Sequence, residues 1–151
     1  MKSDRMWAPG QAIRLHVFYQ EASRILRPGG RLVVAEYMHS GKLLEPSLQR
    51  RLKEWLDGWL IPGLETREQH LGSAAAAGFS NLRVINNNAA ARRSLRRLYK
   101  LALVARPIDY CPSTLGLRNA VQHGNVIASL RQYQLLQQEV WFYGILTGKK
   151  E

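Results

Sequence analysis

Glu21-Ala-Ser-Arg-Ile-Leu-Arg-Pro-Gly-Gly-Arg-Leu-Val-Val-Ala-Glu36 is the stretch whose reading decides the fold. Its opening residues continue a helical pattern that begins at Ala12, in which Ile13, Val17, Phe18, Ala22, Ile25 and Leu26 recur at helical spacing. Arg27-Pro28-Gly29-Gly30 stops that helix. Proline disfavours helical backbone in the residue before it, and the two glycines permit a sharp return of the chain. Arg31 to Tyr37 then reads as a strand, with Leu32, Val33, Val34 and Ala35 nearly continuous. An apolar run without alternation is expected of a strand buried on both faces, as in a parallel sheet covered by helices.

Outward from this segment the elements alternate. His39 to Pro46 reads as loop. Ser47 to Leu60 is an amphipathic helix whose stripe holds Leu48, Leu52, Trp55, Leu56, Trp59 and Leu60, broken by Pro62-Gly63. Thr66-Arg67-Glu68-Gln69 fits a capping box, in which the threonine hydroxyl and the glutamine side chain satisfy each other's free amides. The helix it opens runs to Ala77 and ends at Gly78-Phe79. Leu82 to Ile85 is a short strand, Asn86 to Asn88 a turn, and Ala89 to Ala105 a helix. Pro107 to Ser113 reads as loop, Leu117 to Gln138 as a long helical stretch, and Val140 to Thr147 as a closing strand. The order predicts an α/β chain, a single domain over residues 1–151, with few strands for a complete sheet.

Composition narrows the classes. Apolar residues make up 46% of the 151, so the chain has the means for a core. The single cysteine, Cys111, excludes an internal disulfide framework, and it is read as structural. No apolar run reaches membrane-spanning length and the start lacks a secretory core, so a soluble, cytoplasmic protein without an integral membrane segment is expected. The formal charge of +11 admits nucleic acid, acidic membrane, phosphorylated substrate or acidic protein as partners. It is densest at Arg92, Arg93, Arg96, Arg97 and Lys100, interleaved with Leu95, Leu98, Tyr99, Leu101 and Leu103, which reads as an amphipathic helix with a basic face. Zinc-finger spacing and a helix-turn-helix pattern are missing, so nucleic-acid recognition is not expected.

The segment from Glu21 to Glu36 resembles the helix, Pro-Gly-Gly turn and fifth strand of class I S-adenosylmethionine-dependent methyltransferases. It is most similar to the group that includes ubiquinone/menaquinone, tocopherol and sterol methyltransferases. The tryptophan-bearing helix, the Thr-capped helix ending Ala-Ala-Gly-Phe79, a short strand and a closing strand follow in that family's order, so the resemblance covers the chain from about Ala12 onward. It implies an incomplete Rossmann-like methyltransferase fold: counterparts of strands five, six and seven with flanking helices, and a helical insertion or cap over 86–139. It also implies S-adenosylmethionine as cofactor. Yet the sequence contains no Gly-x-Gly-x-Gly, and Gly29-Gly30 precedes a strand instead of following one. Counterparts of strands one to four, where the family holds most of its cofactor, are missing, so most cofactor contacts are expected from a partner chain. The strand at Arg31 to Tyr37 would then present an open edge, which invites pairing with another chain.

The resemblance thus implies the acceptor-side half of a small-molecule methyltransferase. A partner would carry the amino-terminal half, or the chain would form a homodimer; the acceptor would be small and hydrophobic. The alternative is a non-catalytic homologue that stabilises or regulates a partner enzyme. Glu36, Tyr37 and His39 follow the strand at its carboxyl end, where α/β folds place ligands. Glu36 is the candidate to orient or deprotonate an acceptor, and His39 a candidate base. Tyr37, Trp55 and Trp59 are candidate acceptor contacts; the tryptophans, four apart, equally suit core packing. In the insertion Tyr99, Tyr110, Arg118, Asn119, His123 and Tyr133 are candidate pocket residues. His16, His70 and His123 are isolated, so no metal site is expected, and His70, in the first turn of its helix, reads as surface.

Overall fold

The turn at Arg27-Pro28-Gly29-Gly30 joins the first helix to the first strand, and Gly29 takes the left-handed conformation there (φ 78°). A computed structural model describes residues 9–109 and 120–151, with 9–13, 105–109 and 120–123 described as backbone only. Its elements are α1 (Pro9–Ile25), β1 (Arg31–His39), α2 (Pro46–Gly58), α3 (Arg67–Ala76), β2 (Phe79–Asn86), α4 (Asn88–Asp109), α5 (Ala120–Gln137) and β3 (Trp141–Lys150). All eight were expected, with moved ends. β2 starts three residues before Leu82, directly after the left-handed Gly78 (φ 86°). β3 runs on to Lys150, past the expected end at Thr147, and α4 continues through Pro107 to Asp109, where a loop was expected.

The chain divides into two compact units. The sheet unit comprises residues 1–41, 63–87 and 142–151, and the helical unit comprises residues 42–62 and 88–141.

In the sheet unit the strand order is β1-β3-β2, so the last strand lies between the other two. β2 pairs antiparallel with β3 from Phe79 opposite Lys150 to Asn86 opposite Gly144. A register shift between Ser80 and Arg83 coincides with the left-handed Asn81 (φ 52°), the signature of a bulge. The start of β1 meets the end of β3: the Lys150 amide donates to the Gly30 carbonyl (2.8 Å), and the Gly29 amide donates to the Lys150 carbonyl (2.9 Å). The sheet is therefore antiparallel, where the apolar run of β1 suggested a parallel one, and with its flanking helices it makes a partial Rossmann-like fold. The Lys150 ammonium also reaches the carbonyls of Ser23 (2.5 Å) and Leu26 (2.8 Å), satisfying acceptors at the end of α1 where a cation is favoured.

The core of this unit sits on one face of the sheet. Leu32 and Met38 of β1, Val84 and Phe79 of β2 and Leu146 of β3 pack with Tyr19 of α1 and Ala74 of α3. The opposite face of β1 departs from the expectation of burial on both sides, since Val33 is 66% exposed. Helices α1 and α3 cover the face that carries Leu32 and Met38, and on the other face Val33 and Ala35 stay exposed. Phe142 packs against the core while Tyr143 points the other way, its ring centroid 6.0 Å from that of Tyr37.

The capping box forms as read. The Gln69 amide donates to the Thr66 hydroxyl (3.3 Å), and the Thr66 amide donates to Gln69 Oε1 (2.6 Å). In the helical unit, α2 opens with Pro46 at its first turn, where the missing amide costs nothing. It packs against α5, which also packs against α4. Trp55 is fully buried between Trp59 (centroids 6.2 Å apart) and Trp141 (4.9 Å). The Trp141 indole donates to the Gln132 carbonyl (2.9 Å), so this large side chain is buried with its polar atom satisfied. Close approach of α2 and α5 depends on Gly58: a Cβ there would lie 2.6 Å from the Gly124 carbonyl oxygen and 2.9 Å from the Ala128 methyl.

Candidate functional site

The carboxyl end of β1 carries Glu36, Tyr37 and His39 close together in the chain. Glu36 is exposed and accepts a hydrogen bond from the Tyr37 amide (2.9 Å). By strand alternation it stands on the same face as Met38, and its carboxylate acts electrostatically on Tyr19 beneath. His39 is buried, 4% exposed. Its amide donates to the Glu65 carbonyl (2.9 Å), a parallel bridge joins it to Thr66, and its Nδ1 accepts from the Gly41 amide (2.9 Å). Burial lowers the His39 pKa, so its ring is neutral near pH 7. With Nδ1 engaged as an acceptor, the neutral ring carries its proton on Nε2.

Below this strand end lies a polar contact that sequence reasoning missed. The Tyr19 hydroxyl and His70 Nδ1 are 2.9 Å apart, both buried, with rings edge to face. Burial, followed by the carboxylates of Glu36 and Glu65, pushes the Tyr19 pKa well above its usual value. Burial lowers that of His70 to about 4. Both groups are therefore neutral, and they share one hydrogen bond whose direction follows the imidazole tautomer. His70 is thus not the surface residue its place in a first turn suggested, being only 2% exposed. A signal existed: His70, Ala74 and Ala77 recur at helical spacing and form one inward stripe. Glu65, half-buried, has its pKa raised, first by burial and also by Glu36, against a lowering by its own backbone hydrogen bond.

The structure therefore brings Glu36, Tyr37 and His39 together with Tyr19, Glu65 and His70 in one unit. The remaining candidates belong to the helical unit. Trp55 is closed to solvent, Trp59 is half-buried, and Tyr99 stacks on Tyr133 with centroids 4.9 Å apart, tilted by 33°. The His123 side chain, together with Tyr110, Cys111, Arg118 and Asn119, lies outside the described residues. Among the described residues no cluster of three or more His, Cys, Asp or Glu could hold a metal ion. No described helix is long and apolar enough to cross a membrane.

The described residues do not make a complete S-adenosylmethionine site. Gly29 and Gly30 serve the α1–β1 turn: a Cβ on Gly30 would lie 2.8 Å from the Arg27 carbonyl oxygen, so its bareness is used up by the chain's own return. Gly41, left-handed with open space beside it, is the one described glycine just beyond the carboxyl end of β1, and no glycine-rich run accompanies it.

No family model matches the chain, and no curated protein matches it. Solved structures do. The cyclopropane synthase MmaA2 of Mycobacterium tuberculosis aligns with a TM-score of 0.72 at 18% identity, over 92% of this chain and 50% of that one. Phosphoethanolamine N-methyltransferase 2 of Haemonchus contortus, solved with S-adenosyl-L-methionine, aligns at 0.60 and 19% identity, over 89% and 29%. Geranyl diphosphate C-methyltransferase from Streptomyces coelicolor A3(2) aligns at 0.54 and 14%, over 91% and 42%. The chain spans half or less of the length of these structures. With the strand order β1-β3-β2, they show an incomplete Rossmann-like fold of the class I S-adenosylmethionine-dependent methyltransferase type.

Proposed function

We propose that this chain is the acceptor-side half of a small-molecule methyltransferase, and that a cofactor-binding half on another chain completes it. The observation that carries this reading is the sheet. β1 is its outer strand among the described residues, and Val33 on that strand is 66% exposed. An apolar edge strand with a bare face is a template for a further strand. The extent of the match, most of this chain against half or less of each related structure, supports the same reading.

S-adenosylmethionine supplies an activated methyl group when bound; the described residues leave most of its binding to the other half. Within this chain, Glu36 is the proposed group that orients the acceptor or takes its proton, since its carboxylate is exposed at the strand's ligand-binding end. His39 is the proposed base, and that role requires an opening of its packing and release of the bond that the Gly41 amide donates to its Nδ1. Tyr19 and His70 lie beneath the face that carries Glu36, neutral and mutually bonded. Tyr37, Trp55, Trp59, Tyr99, His123 and Tyr133 are proposed acceptor contacts. Trp55 would require an opening of its packing. A hydrophobic acceptor of the quinone, tocopherol or sterol type belongs to this proposal. The related structures include a geranyl diphosphate C-methyltransferase and a mycolic acid cyclopropane synthase, which supports an apolar acceptor.

The test is to purify the chain alone and with a candidate cofactor-binding half, and to measure S-adenosylmethionine binding by calorimetry together with mass. Binding only in a heteromeric complex is expected. Tight binding by the chain alone, or a chain that stays monomeric beside every such half, would overturn the reading. A complex that binds the cofactor yet transfers no methyl group, with or without Glu36→Gln, would identify the non-catalytic alternative.

A further inference from the structure

The outward face of α4 carries more positive charge than the helix itself can use. Arg92, Arg93, Arg96, Arg97 and Lys100 are all exposed, and none makes an ion pair among the described residues. The 92–96, 93–97 and 96–100 pairs set like charges one turn apart, each of which weakens an isolated helix. The helix has no acidic residue in its first turn, and its sequence contains no carboxylate before Asp109. Its inward side is accounted for: Leu95 and Ala102 are buried and Tyr99 stacks on Tyr133 of α5. The cations therefore stand where packing makes no demand for them, at a cost that a surrounding of negative charge would reverse.

The same face does not end in charge. Residues 93, 97, 100 and 104 recur at helical spacing, and the stripe passes from arginine and lysine to Val104, 71% exposed, flanked by Leu101 at 69% and Leu103 at 44%. From Arg92 to Val104 the face is about 18 Å long at the rise of an α-helix. A nucleic acid would neutralise the cations and leave these aliphatic side chains in water. An anionic bilayer matches both parts. Phosphates meet the arginines and the lysine, and the aliphatic end enters the boundary between headgroups and acyl chains while the long cationic stems lie along it.

We propose that the outer face of α4 docks the protein on an anionic lipid surface. The inference is independent of the methyltransferase reading, since it uses neither the strand end nor a cofactor.

Flotation of the full chain with phosphatidylcholine vesicles, with and without phosphatidylglycerol, tests it. Binding is expected with phosphatidylglycerol, weakening as salt is raised, and is expected to be absent with phosphatidylcholine alone. The variant R93Q/R96Q/R97Q should weaken partitioning on the order of a hundredfold, from the loss of three surface charges. Glutamine keeps helix propensity and relieves the like-charge pairs, so this variant should fold at least as well as the parent by circular dichroism. The double variant L101S/V104S should weaken vesicle binding while leaving retention on a polyanion such as heparin unchanged. No binding to the anionic vesicles, or equal binding by R93Q/R96Q/R97Q, would overturn the proposal. So would vesicle binding indifferent to L101S/V104S, which would make the face a general polyanion site.

Discussion

The sheet unit buries ionisable side chains, whereas the helical unit buries aromatic bulk. In the first, His39, His70 and the Tyr19 hydroxyl are closed to water, and each is placed by hydrogen bonds that lie along the backbone or between two side chains. In the second, Trp55 and Trp141 are the largest closed side chains, and helices meet closely enough for a glycine to matter. Burying polar groups makes a region sensitive to pH, because the charged form is penalised; burying aromatic groups makes it sensitive to shape. The two units should therefore fail under different insults.

The largest effect should come from the helical unit. Trp55→Ala removes a fully buried indole from between Trp59 and Trp141, and a loss of about 3–5 kcal/mol is expected for such a truncation. Urea denaturation at pH 7.5 checks it. A loss below about 1 kcal/mol would mean that this unit collapses around the gap and is not held by the fit of its aromatic groups.

The sheet unit should respond most to acid. Its folded-state His70 pKa, about 4, lies below the usual 6.5 of the unfolded chain. The unfolded state therefore takes up a proton first as pH falls, and stability is lost between about 6.5 and 4. The difference amounts to roughly 3 kcal/mol at the acid end. Burial of His39 acts in the same direction. His70→Gln should flatten part of the slope and leave the part due to His39. Equal slopes for parent and variant would show that His70 opens to water, and the contrast between the units would lose its clearest mark.

Legibility differed within the sheet unit, for reasons that lie in particular residues. The Pro-Gly-Gly turn and the capping box are local devices whose physics is complete within four residues, so the sequence shows them directly. The exposure of Val33 was not legible from its own strand. An apolar run looks alike whether one or both of its faces are covered, and the helices that decide the matter lie elsewhere in the chain. Lys150 lay beyond the expected end of the closing strand at Thr147, and its partners, the carbonyls at the end of α1, are more than a hundred residues away in sequence. At the strand end, Glu36 and His39 could be named from position alone. Tyr19 and His70 could not be named as partners, since nothing local pairs residues 51 apart.

The glycine pair of the helical unit offers a smaller and more directional test. Gly58→Ala would place a methyl group 2.6 Å from the Gly124 carbonyl oxygen, and about 1–3 kcal/mol of destabilisation is expected because backbone must shift. Gly124→Ala would meet Gly58 at an ordinary 3.6 Å. Inside α5 it should raise stability by roughly 0.5–1 kcal/mol through helix propensity. Opposite signs for the two substitutions, read as shifts in the urea midpoint, are the expected result. The same sign for both would mean that α2 and α5 do not approach at this point.

The smallest effect belongs to the sheet unit and concerns a bond that is exposed. Thr66→Ala removes the acceptor for the Gln69 amide at the start of α3, and about 1 kcal/mol is the usual loss for such a cap. The consequence should exceed that of an isolated cap in one respect. Thr66 is also the residue bridged to His39, and α3 carries His70 one turn later, so a frayed start would admit water to both buried rings. Their pKa values would then rise toward 6.5, and the acid-induced loss of stability would shrink. Thr66→Ala is thus expected to lower stability at pH 7.5 by more than it does at pH 4.5. Thr66→Ser, which keeps the hydroxyl, should restore the parent pH profile. A loss that is the same at both pH values would confine the cap to the helix end and separate it from the polar core that distinguishes this unit.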